Sequence, residues 1–232
     1  MATRPPSEAP RVLTDPQLDT IPPMTAVLGG VRPGLAGSFQ VAIAGVLRTV
    51  ATQRNMKIHV VAGLMVAIVG MALPLDLGAR VALLFSVSIV FFAEILNTAL
   101  EAVIDLFVHE FSRLAMLAKD AAAGGVLVFA VTTVFVLADI LWTEWHLVEQ
   151  NLDAVVRSCL CGIPLVLSEG LGLFVLRRRP WQAARLAVSL ALLVPLVAHT
   201  HDPIFAIVAV TLIGVGVAAR TAYLPRAEAD TP

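Results

Sequence analysis

Between Val81 and Phe107 the chain stays apolar for longer than a soluble core helix requires. The run has the length of a membrane span, ~20 residues or slightly more. Its second half, Phe92-Ala-Glu-Ile-Leu-Asn-Thr-Ala-Leu-Glu-Ala-Val-Ile-Asp105, nevertheless carries acids. Glu94, Asn97, Glu101 and Asp105 stand at i, i+3, i+7 and i+11, so a helix presents all four on one face. Glu94 and Glu101 are then about 10 Å apart along the axis. A carboxylate within a span costs about 2.5–3.5 kcal/mol on insertion scales and by default marks a functional site. A lone Glu could be a helix-gluing polar residue; a row of four points to chemistry.

Of the 232 residues, 58% are hydrophobic and 14% charged, against about 25% charged in soluble domains. The chain therefore belongs to the membrane class. The net charge of −1 provides no basic stripe for phosphate backbones, which excludes nucleic acid as a partner. Cys159 and Cys161 lie in an apolar run and read as small buried residues rather than as a disulfide or metal pair.

Seven of the fourteen prolines fall in residues 1–36, which predicts a disordered tail. Ser38–Thr52 has apolar residues at helical spacing interrupted by Gln40, Arg48 and Thr49, predicting an amphipathic helix at the membrane surface. A polar hinge, Gln53–His59, follows. Six spans are expected over 58–73, 81–107, 121–142, 154–176, 182–198 and 204–219, with a polar loop over 109–120. The fold class is thus all-α and integral to the membrane: a surface helix and three spans, then about three more. The corresponding domains are the tail 1–36, a core 37–146 and an appended region 147–232. With the N-terminus inside, 14 of the 16 Lys and Arg residues lie in cytoplasmic segments, and only Arg80 and Arg157 lie outside. This bias predicts both termini in the cytoplasm.

The same orientation brings the acidic row near the cytoplasmic face, where ATP is found. Two acids on one face, with Lys119-Asp120 nearby, suit phosphoryl transfer. That reaction needs a metal against phosphate charge, a cation on the phosphates and a base at the attacking hydroxyl. Mg²⁺ takes one or two carboxylates and completes its shell with phosphate and water. Glu101 fits the metal, Glu94 the general base and Lys119 the phosphate clamp.

Glu94-Ile-Leu-Asn-Thr-Ala-Leu-Glu-Ala-Val-Ile-Asp105 and Ala118-Lys-Asp-Ala-Ala-Ala123 resemble the signature of the prokaryotic diacylglycerol kinase family, which includes undecaprenol kinases. Arg54-Asn-Met-Lys-Ile-His59 resembles the hinge of the undecaprenol-kinase branch, and the likeness covers about residues 38–142. The resemblance implies a bacterial cytoplasmic-membrane kinase that uses Mg²⁺ with ATP to phosphorylate diacylglycerol, or alternatively undecaprenol. It implies a homotrimer with sites shared between subunits. It assigns Glu94 as catalytic base with Asn97 beside it, and Glu101 as metal and nucleotide ligand. Glu110, Phe111, Lys119 and Asp120 become nucleotide contacts. Where the family has a second metal-binding glutamate this chain has Gln53, whose amide offers an oxygen but no charge. The three appended spans lie outside the resemblance.

Two rival readings come from other classes. An ion transporter would use Glu94, Glu101 and Glu169 as a path, but it leaves Lys119-Asp120 unexplained. A non-catalytic scaffold would have lost activity at Gln53. Glu169, in the fourth span beside Ser168, Gly170 and Gly172, reads first as an interhelical hydrogen-bonding residue and second as a headgroup or cation site. Arg177–Arg179 reads as a topology anchor, and His199 and His201 as solvated loop residues.

Overall fold

The computed structural model describes Gly30, residues 34–175 and residues 179–223. Most of the expected tail, Arg177 and Arg178 of the expected anchor, and the last nine residues lie outside the described residues. Contacts divide the chain into two units, Met1–Ala44 and Gly45–Pro232. In the first, Gln40 Nε2 donates to the Gly30 carbonyl at 3.0 Å.

The described residues are almost entirely helical and contain no strand. In order they form α1 (Leu35–Thr52), α2 (Arg54–Ala72), α3 (Leu77–Phe107), α4 (Arg113–Thr143), short α5 (Trp145–Gln150) and α6 (Leu152–Arg157). A π-turn over Ser158–Gly162 joins α6 to α7 (Ile163–Phe174), and α8 (Arg179–Ala198) and α9 (Pro203–Tyr223) follow. Seven helical stretches among the described residues are long and apolar enough to cross a membrane, so this is a multi-pass membrane protein. Of these, α1 has the lowest mean hydropathy, 1.3, in keeping with its polar residues.

Two polar stretches differ from the expectation in the same way. The hinge expected over 53–59 narrows to Gln53, whose extended backbone (φ −85°, ψ 125°) alone separates α1 from α2. The loop expected over 109–120 narrows to residues 108–112, because Ser112 caps α4 by accepting from Ala115 N. Arg113-Leu-Ala-Met-Leu-Ala-Lys119 consists of good helix formers, and polarity at the end of a span does not break a helix. Lys119 and Asp120 therefore sit on a helix. At the other end of α3, Asp76 caps by accepting from Ala79 N at 2.7 Å.

α3 and α4 make the most extensive helix pair, antiparallel, with Thr133 Oγ1 against the Ser86 carbonyl and Lys119 against Asp105. α2 is the central helix. Its apolar residues surround it, and it packs on α3, α7 and α9. The α2–α9 contact is close because Gly70 lies under the Phe205 ring, leaving no room for a Cβ, and Gly63 lies against Val87, Phe91 and Leu212. One apolar core runs through Leu64, Met71, Leu83, Leu165, Leu193 and Phe205, so it includes both the expected core helices and the appended ones. Arg80 on α3 also bonds Asp202 at 2.8 Å, and Asp202 caps α9 through Ile204 N.

Candidate active site

The acidic row lies on the C-terminal half of α3, and its burial is graded along the helix. Glu94 is 1% exposed and Asn97 5%, Glu101 is half-buried and Asp105 is exposed. The gradient follows from packing: toward Phe107 the apolar neighbours lose their packing partners, as the exposure of Val103, Leu106 and Phe107 shows. Asn97 Nδ2 donates to Glu101 Oε1 at 2.9 Å, one turn along, which fixes that carboxylate. Thr98 Oγ1 donates to the Glu94 carbonyl, so the Glu94 carboxyl itself makes no bond through this neighbour.

Two buried polar atoms here have no protein partner: Glu94 Oε2 and Asn97 Oδ1. Buried polar atoms are satisfied in more than about nine cases out of ten. Two orphaned acceptors one turn apart can each accept from a donor outside the chain, such as a hydroxyl.

Lys119 Nζ reaches Asp105 Oδ1 at 2.5 Å in a partly exposed pair, bridging the α3 and α4 ends. Asp120, Glu110 and Phe111 are exposed around the 108–112 turn, and Phe111 is 87% exposed. The antiparallel register set by Gly63 against Val87 and Phe91 carries Gln53 to the level of Thr98–Glu101. The expected residues therefore gather at one end of the bundle, with Glu94 deepest. Direct bonds join Asn97 to Glu101 and Lys119 to Asp105; Glu110, Phe111 and Asp120 make none within the site.

No group of three or more His, Cys, Asp or Glu side chains among the described residues could hold a metal by itself. The donors at this end are one oriented carboxylate, Glu101, and one amide, Gln53. They suit a hard cation that arrives with phosphate oxygens, the usual mode for Mg²⁺, and would not form an all-protein cage.

Two features escaped the sequence reading. Glu169 is ion-paired with Arg185 at 2.5 Å, both side chains 4% exposed, beside a Ser168–Ser189 hydrogen bond at 3.1 Å. Arg185 lies inside α8, within the span expected over 182–198. Ser189, one turn beyond Arg185 and facing the Ser168-Glu169 pair, was the available signal. The second is the Arg80–Asp202 pair, for which no local pattern exists.

The family described as prokaryotic diacylglycerol kinase matches residues 40–141. A diacylglycerol kinase of Synechocystis sp. is 44% identical over 107 residues, covering 46% of this chain and 61% of that protein. An undecaprenol kinase of Bacillus subtilis is 39% identical over 94 residues, covering 40% of this chain and 76% of that protein. A diacylglycerol kinase of Escherichia coli is 35% identical over 85 residues, covering 37% of this chain and 70% of that protein. No solved structure matches the chain. With the acidic row, its helix pair and these likenesses, the chain belongs to the prokaryotic diacylglycerol kinase family.

Proposed function

We propose that this protein is a membrane lipid kinase that transfers the γ-phosphate of ATP to the hydroxyl of diacylglycerol. The observation that carries the reading is Glu94: an acid buried in a span, with Oε2 unpartnered, two turns from an oriented Glu101. In this reading Glu94 takes the proton of the lipid hydroxyl, whose oxygen attacks the γ-phosphorus while the β–γ bridging oxygen leaves with ADP. Asn97 holds Glu101, and Glu101 with Gln53 would hold Mg²⁺, which neutralises phosphate charge. Lys119, exchanging Asp105 for phosphate, contacts the nucleotide, as do Asp120, Glu110 and Phe111. Both termini are cytoplasmic, the core is residues 37–146, and a homotrimer completes the site.

Undecaprenol is the second substrate reading. It is favoured by Arg54–His59 and by the 76% coverage of the Bacillus protein. Purified protein with labelled ATP, assayed by thin-layer chromatography against both lipids, separates the two. Glu94→Gln is expected to lower turnover by about 10²–10⁴-fold, the usual contribution of general-base assistance, with nucleotide binding nearly unchanged. Near-normal turnover in that variant would remove Glu94 from the mechanism. Failure of the natural protein with every lipid alcohol would favour the scaffold reading.

A further inference from the structure

At the end of the bundle away from Gln53 and Glu101, α2, α5, α7 and the π-turn enclose a groove of about 650 Å³. This is within the ~300–1,000 Å³ of small-molecule sites. No charged side chain lines it, and Ser158 supplies the only hydroxyl of the lining. Its floor includes Ile68, Ala72 and Val166, while Met65, Ile163 and Leu167 on its walls are exposed at the outer surface of the helices. Along α2 it runs from Met65 to Leu73, about 12 Å at 1.5 Å per residue. The groove is therefore elongated along the spans rather than across them.

Its width has a local cause. Pro164 has no N–H to donate to the Leu160 carbonyl, and the turn before it, Ser158–Gly162, is π-helical; Ile163 N, bonding the Cys159 carbonyl four residues back, restores the α pattern. The extra residue spreads the helix there, and Ser158, Cys159 and Gly162 of this turn all line the groove. Trp145 closes the interfacial end. Its Nε1 donates to Glu149 Oε1 at 2.9 Å, so its polar edge is already satisfied and its ring is free for an apolar contact.

We propose that the groove holds one acyl chain of a bilayer phospholipid from the leaflet at the Trp145 end. The lining offers no hydrogen bond to a polar occupant, and burying an unpaired polar group costs free energy. The groove opens sideways among membrane-crossing helices, starts at the interface and follows the direction of a lipid tail. By mass action, phospholipid chains are the hydrocarbon most available there. This site is distinct from the proposed catalytic end and does not depend on the kinase reading.

The test uses the full chain in detergent micelles, with Trp142→Phe and Trp181→Phe leaving Trp145 as the one fluorophore, titrated with a phospholipid brominated on its acyl chains. The expected result is saturable quenching of Trp145 at low lipid, reversed by unbrominated phospholipid. Cys159→Phe, and separately Ser158→Leu, should weaken it severalfold. A companion protein keeping only Trp142, which is 86% exposed, should show quenching that rises in proportion to the lipid fraction. Proportional, non-saturating quenching of Trp145 itself would overturn the proposal whatever the variants do. So would competition by a polyprenol but not by phospholipid.

Discussion

Asn97 sits between two acids and bonds one of them. Its Nδ2 holds Glu101, while its Oδ1 and Glu94 Oε2 stay unpartnered within the same two turns. One amide thus orients the shallower acid, while its own oxygen and that of the deeper acid stay open. Lys119 poses a different question at this scale, because Asp105 occupies it. Asp105 would have to be displaced by a phosphate, and a partly exposed pair is worth only about 0–1 kcal/mol. Asp105→Asn is therefore expected to lower the KM for ATP by about two- to fivefold with kcat little changed, which steady-state kinetics would show. A higher KM would mean that Asp105 helps to build the nucleotide site. Gln53 lies level with Glu101 and offers an oxygen without a charge. A unit charge about 4 Å from a cation is worth ~4 kcal/mol per ion charge at an effective dielectric of 20, much of it offset by desolvation. Gln53→Glu is accordingly expected to lower the Mg²⁺ concentration for half-maximal activity and to raise turnover. An unchanged Mg²⁺ dependence would separate Gln53 from the metal.

Among the elements, α7 and α8 are joined by an unusual device for a membrane. Glu169 and Arg185 form a buried ion pair beside the Ser168–Ser189 bond, and the Arg185 side chain lies directly over Gly172. Glu169 Oε1 and Arg185 Nε remain without partners, so the pair is only partly compensated. Breaking such a pair from one side leaves a naked buried charge and costs about 3–5 kcal/mol, whereas replacing both members by apolar residues is often neutral or better. Glu169→Leu alone should lower the thermal midpoint strongly. Glu169→Leu with Arg185→Met should recover most or all of it, as followed by circular dichroism in detergent. A double variant as unstable as the single one would indicate that the pair does more than set the register of the two helices.

On the scale of the whole molecule, the appended helices complete the cover of α2. Phe205 over Gly70, Leu212 beside Gly63 and Asp202 on Arg80 all come from α9 or its cap. A chain ending at Asn151 loses these contacts but remains in a solvent of hydrocarbon, where exposed apolar faces of α2 are tolerated. We expect it to insert and to retain lipid kinase activity with a lower thermal midpoint. A folded but inactive truncated protein would make the appended helices part of the site.

How much of this was legible in the sequence follows from which interactions are local. The acidic row, its common face and the membrane class were readable because helical periodicity and hydropathy are properties of consecutive residues. Glu94, Asn97 and Glu101 could be named as candidates before any packing was known. The lengths of the polar ends were misjudged. Polarity predicts a hinge over Gln53–His59 and a loop over 109–120, yet helix propensity and caps act there independently of hydropathy, and the helices run through most of both stretches. Tertiary structure alone decided the graded burial from Glu94 to Asp105 and the Arg185 partner of Glu169. It also decided the Asp202 tie to Arg80 and which helices come together to line the groove. Each of these depends on which helices lie side by side, and in a membrane every apolar helix can pack on many others. The choice is made by small residues and buried charges far apart in the chain, which no local pattern encodes.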